Sequence, residues 1–153
     1  MENRSYIETN RQGRERLRDL VEGLDEDSLA TQVNEYWSVA GVLAHMAWWD
    51  ARVVVFAEKI DRGEPWVPSD EEPEGDWLND TTRLVIEGLA PRAPRAAAEL
   101  ALRLAEQADA RVAELPLDRM APRDPASPIH PVRAEHRNEH LDEIAMVLER
   151  RGG

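Results

Sequence analysis

Three of the four histidines in this sequence are spaced so that two helices can bring them together. His136 and His140 are four residues apart, which stacks their imidazoles on one face of a helix. His45 lies in a separate, earlier apolar segment. Imidazole is the commonest protein ligand for metal ions, and three such ligands leave one coordination position for water or substrate. The sequence therefore predicts a metal site built from His45, His136 and His140.

Proline marks the loops between the elements that must position these histidines. All ten prolines lie in three stretches, at residues 65–73, 91–94 and 116–131. Because proline disrupts helix interiors but fits loops and first helical turns, these stretches are predicted to be loops. The remaining segments are the helix candidates.

Apolar residues recur at intervals of three and four in four of these segments, which is the pattern of helices buried on one side. Ser38 is a good N-cap for the clearest of them, and Ser5 and Glu8 have the spacing of a capping box. The predicted long helices cover residues 5–23, 39–60, 96–115 and 132–151.

The segments between the long helices are predicted to be mainly loops. Residues 25–36 are predicted to form a polar connection that carries Leu29 and Val33, and residues 81–89 a short helix. The chain shows no strand alternation, and its 153 residues suit a single core. The predicted fold class is therefore all-α, a four-helix bundle with long connections after the second and third long helices.

Helical periodicity also places the histidines relative to the core. At 100° per residue, His45 lies roughly 80° to one side of the apolar stripe of its helix. On the last helix, stepping back from the core residue Ile144 by fours gives His140 and then His136. All three imidazoles are thus expected at the edges of buried faces, where they converge if the two helices share a groove.

Composition limits the partners and the compartment. The net charge of −12 argues against nucleic acid and anionic membrane surfaces, because phosphate binding needs a basic face. The absence of cysteine excludes disulfides, thiolate ligands and a cysteine nucleophile from the chain itself. No apolar run reaches the roughly 20 residues of a membrane span, and no secretory signal is visible, so a cytoplasmic location is expected.

Two segments resemble the DinB-like superfamily of metal-binding four-helix bundles. This superfamily includes the bundle of mycothiol-dependent maleylpyruvate isomerase and bacillithiol transferase-like proteins. Its pattern is a Trp followed by Ser or Thr at the start of helix two, a histidine seven residues into that helix, and HxxxH on helix four. The pattern falls here on Trp37, Ser38, His45, His136 and His140.

The resemblance implies a single DinB-like four-helix bundle domain over residues 1–153. It also implies a three-histidine site for a divalent ion such as zinc, nickel or iron, and it allows for a homodimer. Three neutral imidazoles leave the ion its full positive charge, so a bound water or thiol would lose its proton near neutral pH. Since the chain has no cysteine, any thiol would be a cosubstrate such as mycothiol or bacillithiol.

Several residues near the histidines have two interpretations. Glu143 follows His140 on the same edge and is a candidate general base or orienting group, although a solvated carboxylate is the commoner case, as for Glu139. Trp49 is predicted to be a core residue, with a pocket wall as the alternative. Asp50 lies on a different face from His45 and is not a candidate ligand. His130 is predicted to be exposed in the loop at residues 116–131.

Two classes of function fit this sequence. The first is a metal-dependent enzyme that transfers a thiol to a small electrophile, or hydrolyses one, in detoxification or self-resistance. The second is a non-catalytic bundle that binds metal or small molecules or has a structural or interaction role. Metal content, and its loss in His45→Ala, separates them first.

Overall fold

The protein is described by a computed structural model that covers residues 3–64 and 76–152. Side chains are described from residue 80 onward in the second part. The six α-helices of these residues are α1 (Ser5–Gly23), α2 (Glu26–Ala30), α3 (Val39–Asp61), α4 (Asp76–Leu89), α5 (Pro94–Glu114) and α6 (Ala134–Gly152). The predicted loop at residues 65–73 lies outside the described part of the chain.

The all-α prediction is confirmed, since the described residues contain helices and no β-strand. The four long segments predicted from periodicity correspond to α1, α3, α5 and α6. Helix α5 begins two residues earlier than predicted because Pro94 occupies its first position, where proline's missing N–H costs nothing. Helix α4 begins five residues before the predicted residue 81.

Helix α3 is the central element of the core. It packs most extensively against α5 and also contacts α4 and α6. The predicted N-cap is confirmed, because the Ser38 hydroxyl accepts a hydrogen bond of 3.3 Å from the Gly41 N–H. By length and composition alone α3 is apolar enough to cross a membrane, but 56% of its most apolar window is buried inside the protein. Its hydrophobicity is thus consistent with the core helix of a soluble protein.

Helix α6 is held at its N-terminus by a side chain from α1. Asn10 is 1% exposed, and its Oδ1 accepts hydrogen bonds from the N–H groups of Arg133 (2.8 Å) and Ala134 (3.0 Å). Its Nδ2 donates to the Pro131 carbonyl at 2.8 Å. These bonds satisfy backbone groups at the start of α6 that would otherwise be orphaned. They explain why α6 begins at Ala134 rather than at the predicted residue 132.

Two local predictions were wrong. The Ser5–Glu8 capping box does not form, because Arg4 is the N-cap residue of α1 and Glu8 pairs with Arg11 instead. The connection after α1 is not simply polar, because it contains the short helix α2. Asp25 caps α2 by accepting from the Ser28 N–H at 2.7 Å, and Leu29 is fully buried in the core.

Candidate metal centre

The three predicted histidines lie together in the groove between α3 and α6. One potential ligand atom from each of His45, His136 and His140 lies within 4.8 Å of those of the other two. The Nε2 atoms of His136 and His140 are 3.1 Å apart. We call these three residues the histidine cluster.

These separations fit a divalent ion. Zn–N bonds of 2.0–2.1 Å at a tetrahedral centre place two ligand nitrogens about 3.3 Å apart. The His136–His140 pair is already close to that separation, and His45 approaches the pair from the opposite helix, with its ring centroid 4.9 Å from that of His140. The donor set is thus two neighbouring imidazoles on α6, whose rings are perpendicular to each other, and a third from α3.

The electrostatics of the cluster keep its imidazoles neutral, which is the form that binds metal. Burial, with the neighbouring His140 and His136, lowers the pKa of His45 to about 3. Burial, followed by the nearby His140 and Arg133, lowers the pKa of His136 to about 4. The pKa of His140 is also lowered by burial, against the opposing effect of the Glu143 and Glu139 carboxylates.

Two nitrogens of the cluster are buried without a well-formed hydrogen bond, namely Nδ1 of His45 and Nδ1 of His140. Glu143 Oε1 lies 3.3 Å from His140 Nδ1, within ion-pair distance but without the alignment of a hydrogen bond. Since the Nε2 atom of His140 faces His136, the Glu143 carboxylate contacts the ring on the other nitrogen. This geometry suits a group that orients the imidazole.

A cleft of about 330 Å³ opens beside the cluster. Its described lining consists of Tyr36, Trp37, His45, Trp49, Asp80, Arg83 and His136. The Trp37 ring lies 4.7 Å from the His45 ring between centroids, and the Trp49 ring lies edge-on to His45 at 6.3 Å. Trp49 is therefore a half-buried wall of this cleft as well as a member of the apolar stripe.

Comparison with known proteins agrees with this geometry. Residues 9–147 match the family model of the DinB superfamily. The chain belongs to the DinB superfamily. No significant match was found among curated proteins or among solved structures. DinB-like proteins are often metalloproteins, so membership and the histidine cluster are together compatible with metal-dependent function.

In this DinB-superfamily chain a second polar cluster lies next to the histidines and was not predicted from the sequence. The Arg137 guanidinium is 2% exposed and makes two hydrogen bonds of 3.1 Å to the Asp109 carboxylate and one of 3.4 Å to Asp50. Asp50 also accepts from Arg133 at 3.1 Å, and Asp109 from Arg14 at 2.8 Å. We call these five residues the ion-pair network.

The ion-pair network joins all four long helices of the DinB-superfamily chain. Arg14 comes from α1, Asp50 from α3 and Asp109 from α5, and the other two arginines come from the segment at the start of α6. Although burial opposes its charge, the Asp50 and Asp109 carboxylates raise the pKa of Arg137 above its ordinary value. The network therefore fixes α6 against α3 with ionised groups.

A signal for the network is present in the sequence. Arg137 is four residues before Leu141 and seven before Ile144, so it occupies the core stripe of α6. Asp50 lies four residues after the buried Met46 on α3. Opposite charges inside apolar stripes point to buried pairing, because an unpaired buried charge is costly.

The remaining candidates lie where their surroundings suit simpler roles. Asp50 belongs to the network and not to the metal ligands. His130 is exposed, and its Nδ1 accepts from the Val132 N–H at 3.3 Å, away from the cluster. Glu139 is exposed and acts on His140 only through its charge.

Proposed function

We propose that this chain is a metal-dependent enzyme that uses the histidine cluster to transfer a thiol to a small electrophile, or to hydrolyse one. The observation that carries the proposal is the convergence of three neutral imidazoles from two helices beside an open cleft. On this proposal α1, α3, α5 and α6 form the four-helix bundle of the family, and the protein acts in the cytoplasm.

The chain's own residues would supply binding, orientation and a dry surface. His45, His136 and His140 hold the ion, and Glu143 orients His140 through its Nδ1. Trp49 shields one side of the cluster from water, which strengthens the electrostatic interactions there. A divalent ion in this position lowers the pKa of a coordinated thiol or water, so that it becomes a nucleophile near neutral pH.

Thiol transfer requires a thiol from solution, because the chain contains no cysteine. The thiol sulphur would form the new bond to the electrophilic carbon while the bond from that carbon to the leaving group breaks. The leaving group would depart with that electron pair, and the thiol proton would pass to solvent or to the leaving group. In hydrolysis the same position would be taken by water. A low-molecular-weight thiol is the cosubstrate that we favour, in keeping with the resemblance described above.

Metal analysis tests the site directly. We expect the purified protein to take up one divalent ion per chain from zinc, nickel or iron salts, and we expect His45→Ala to abolish that uptake. His130→Ala is the matched control, because it removes an exposed histidine outside the cluster. A wild-type protein that takes up no ion, or a His45→Ala variant that binds as tightly as wild type, would overturn the proposal.

Thermal shifts against a panel of low-molecular-weight thiols distinguish the reaction classes. A thiol cosubstrate should raise the melting temperature of the metal-loaded protein and should have little effect on the metal-free one. Stabilisation by no thiol, combined with turnover of an activated ester, would favour hydrolysis. A metal-loaded protein that responds to neither would favour a non-catalytic binding role.

A further inference from the structure

We propose that the substrate site continues past Trp37 into a second, apolar cavity, and that the substrate carries an uncharged apolar arm several carbon atoms long. This inference rests on the proposed metal site, which would hold the reacting head of the same molecule.

The second cavity has a volume of about 270 Å³ and lies between α2, the start of α3 and the end of α4. Its apolar lining consists of Leu29, Ala30, Tyr36, Trp37, Gly41, Ile86, Ala90, Pro91 and Pro94. The polar side chains in the lining are Gln32, Ser38 and Glu87. We call this space the apolar cavity.

The apolar cavity shares two side chains with the metal cleft. Tyr36 and Trp37 line both spaces, and the Trp37 ring is also the one that lies 4.7 Å from His45. The two spaces thus lie on either side of these aromatic rings, and on our proposal a molecule bound at the histidines reaches the apolar cavity by passing them. The two volumes together fall within the range of small-molecule sites, whereas each alone lies at or below its lower end.

Gly41 allows Trp37 to take this position. A Cβ atom at residue 41 would lie 2.7 Å from the Trp37 Cβ and 3.0 Å from its Cγ, which is closer than such atoms approach. Any larger residue there would displace the ring that separates the two spaces. The shared wall is thus built by a specific close contact between α3 and the segment before it.

Three polar side chains of the apolar cavity are already committed within the protein. Gln32 Nε2 donates to the Asn34 carbonyl at 2.8 Å, and the Ser38 hydroxyl caps α3. Glu87 accepts from Arg83 at 3.1 Å. What remains to contact a ligand is carbon surface together with Trp37 Nε1, which makes no hydrogen bond within the described residues. Such a surface favours an uncharged, largely apolar group and penalises a charged one.

A homologous series of alkyl hydroxamates tests the inference, because the head group chelates metal while the chain lengthens by one methylene at a time. Binding of acetohydroxamate through octanohydroxamate to the zinc-loaded protein is measured by calorimetry. Burial of the chain should lower the dissociation constant by up to about fourfold per methylene, until the cavity is filled. A chain that points into solvent would leave the constant nearly unchanged along the series.

The variant Ala30→Phe is designed to fill the apolar cavity and so to block entry of the alkyl chain. Ala30 is an exposed residue at the end of α2, so a larger side chain can enter the cavity without disturbing the core. We expect Ala30→Phe to flatten the series, with acetohydroxamate as the reference ligand. Ala110→Phe, the same change at an exposed site on α5 that faces a different cavity, should retain the wild-type gain.

The outcomes separate this inference from the proposed function. Tight binding of acetohydroxamate without a gain along the series, or a gain that Ala30→Phe leaves intact, overturns the inference and leaves the metal site standing. A protein that binds no metal overturns the proposed function. In that case the cavity can still be tested by nuclear magnetic resonance of the metal-free protein with 1-hexanol as the probe. We expect 1-hexanol to shift the methyl signals of Leu29 and Ile86 in wild type but not in Ala30→Phe. Unshifted signals in wild type would overturn the inference.

Discussion

Helices α3 and α6 share two polar clusters that lie side by side and have opposite electrostatic character. In the ion-pair network every arginine has a carboxylate partner, and the groups are ionised. In the histidine cluster the pKa values of all three imidazoles are lowered, so the rings are neutral, and His45 and His136 line a cleft. His136 and Arg137 are neighbours in sequence, yet each belongs to a different cluster.

This difference distinguishes polar residues that stabilise the fold from polar residues that are available to bind a ligand. Buried groups of opposite charge that pair with one another hold elements together, whereas neutral imidazoles beside a cleft are available to a metal ion. The network keeps α3 and α6 in place, so the histidines can remain neutral without loosening the groove. Variants that affect one cluster and spare the other should separate these roles.

The largest effect on stability is expected from Arg137→Met. The Asp50 and Asp109 carboxylates would each lose a buried partner, which costs about 3 kcal/mol or more of unfolding free energy. Urea denaturation of the metal-free protein measures this loss. Arg16→Met removes an exposed pair with Asp142 and should cost less than about 1 kcal/mol. Equal losses in the two variants would contradict a structural role for the network.

A smaller effect is expected from pH acting on the metal-free histidine cluster. His45 and His136 have folded-state pKa values of about 3 and about 4, below the ordinary value of 6.5. The unfolded chain therefore takes up protons first, so stability is complete above pH 6.5 and falls as the pH drops toward 4 and then 3. At about 1.4 kcal/mol per pKa unit the full shifts correspond to several kcal/mol, and solvent screening of these part-exposed rings reduces the expected loss to the order of 2 kcal/mol.

The pH effect is measured by urea denaturation between pH 7 and 4 in the presence of a chelator. A His45→Gln, His136→Gln double variant should show a shallower decline, because those protonation sites are gone. A decline as steep as that of wild type would mean that other groups, and not the histidines, cause the acid sensitivity.

The smallest effect is expected from Glu143→Gln, which keeps the shape of the side chain and removes its charge beside His140. Loss of an orienting carboxylate should weaken metal binding about tenfold. The unfolding free energy should change by less than about 0.5 kcal/mol, since Glu143 is exposed. Competition with a chelating dye gives the affinity, and Glu135→Gln on the same helix serves as the control. Identical affinities would leave Glu143 as an ordinary surface carboxylate.

The sequence predicted those features that depend on local periodicity. The long helices follow from apolar repeats and proline positions, and Ser38 was recognised as a cap because its hydrogen bond lies within one turn. The placement of His45 at the edge of a stripe required only the helical rotation of 100° per residue. Such features need no knowledge of which helices are neighbours.

Features that depend on contacts between distant segments were missed. In the sequence Asn10 is one polar residue among the regularly spaced residues of α1, and nothing local marks it as a cap. It caps α6 only because the fold brings it close to the start of that helix. Helix α2 escaped detection because five residues with one buried leucine carry too little periodicity. The cleft wall formed by Arg83 depends on how α4 packs against α3, which the sequence pattern does not specify.

The hydrogen bonds between Asn10 and the start of α6 bear on when α6 can dock during synthesis. The partners are more than 120 residues apart in the chain, so the first turn of α6 is fixed only after nearly all of this sequence has left the ribosome. His136 lies within that turn, and His140 lies in the next one. On the proposed function, the three ligands would therefore come together only once α6 has docked, and the ion bound would be set by the ions available at that stage.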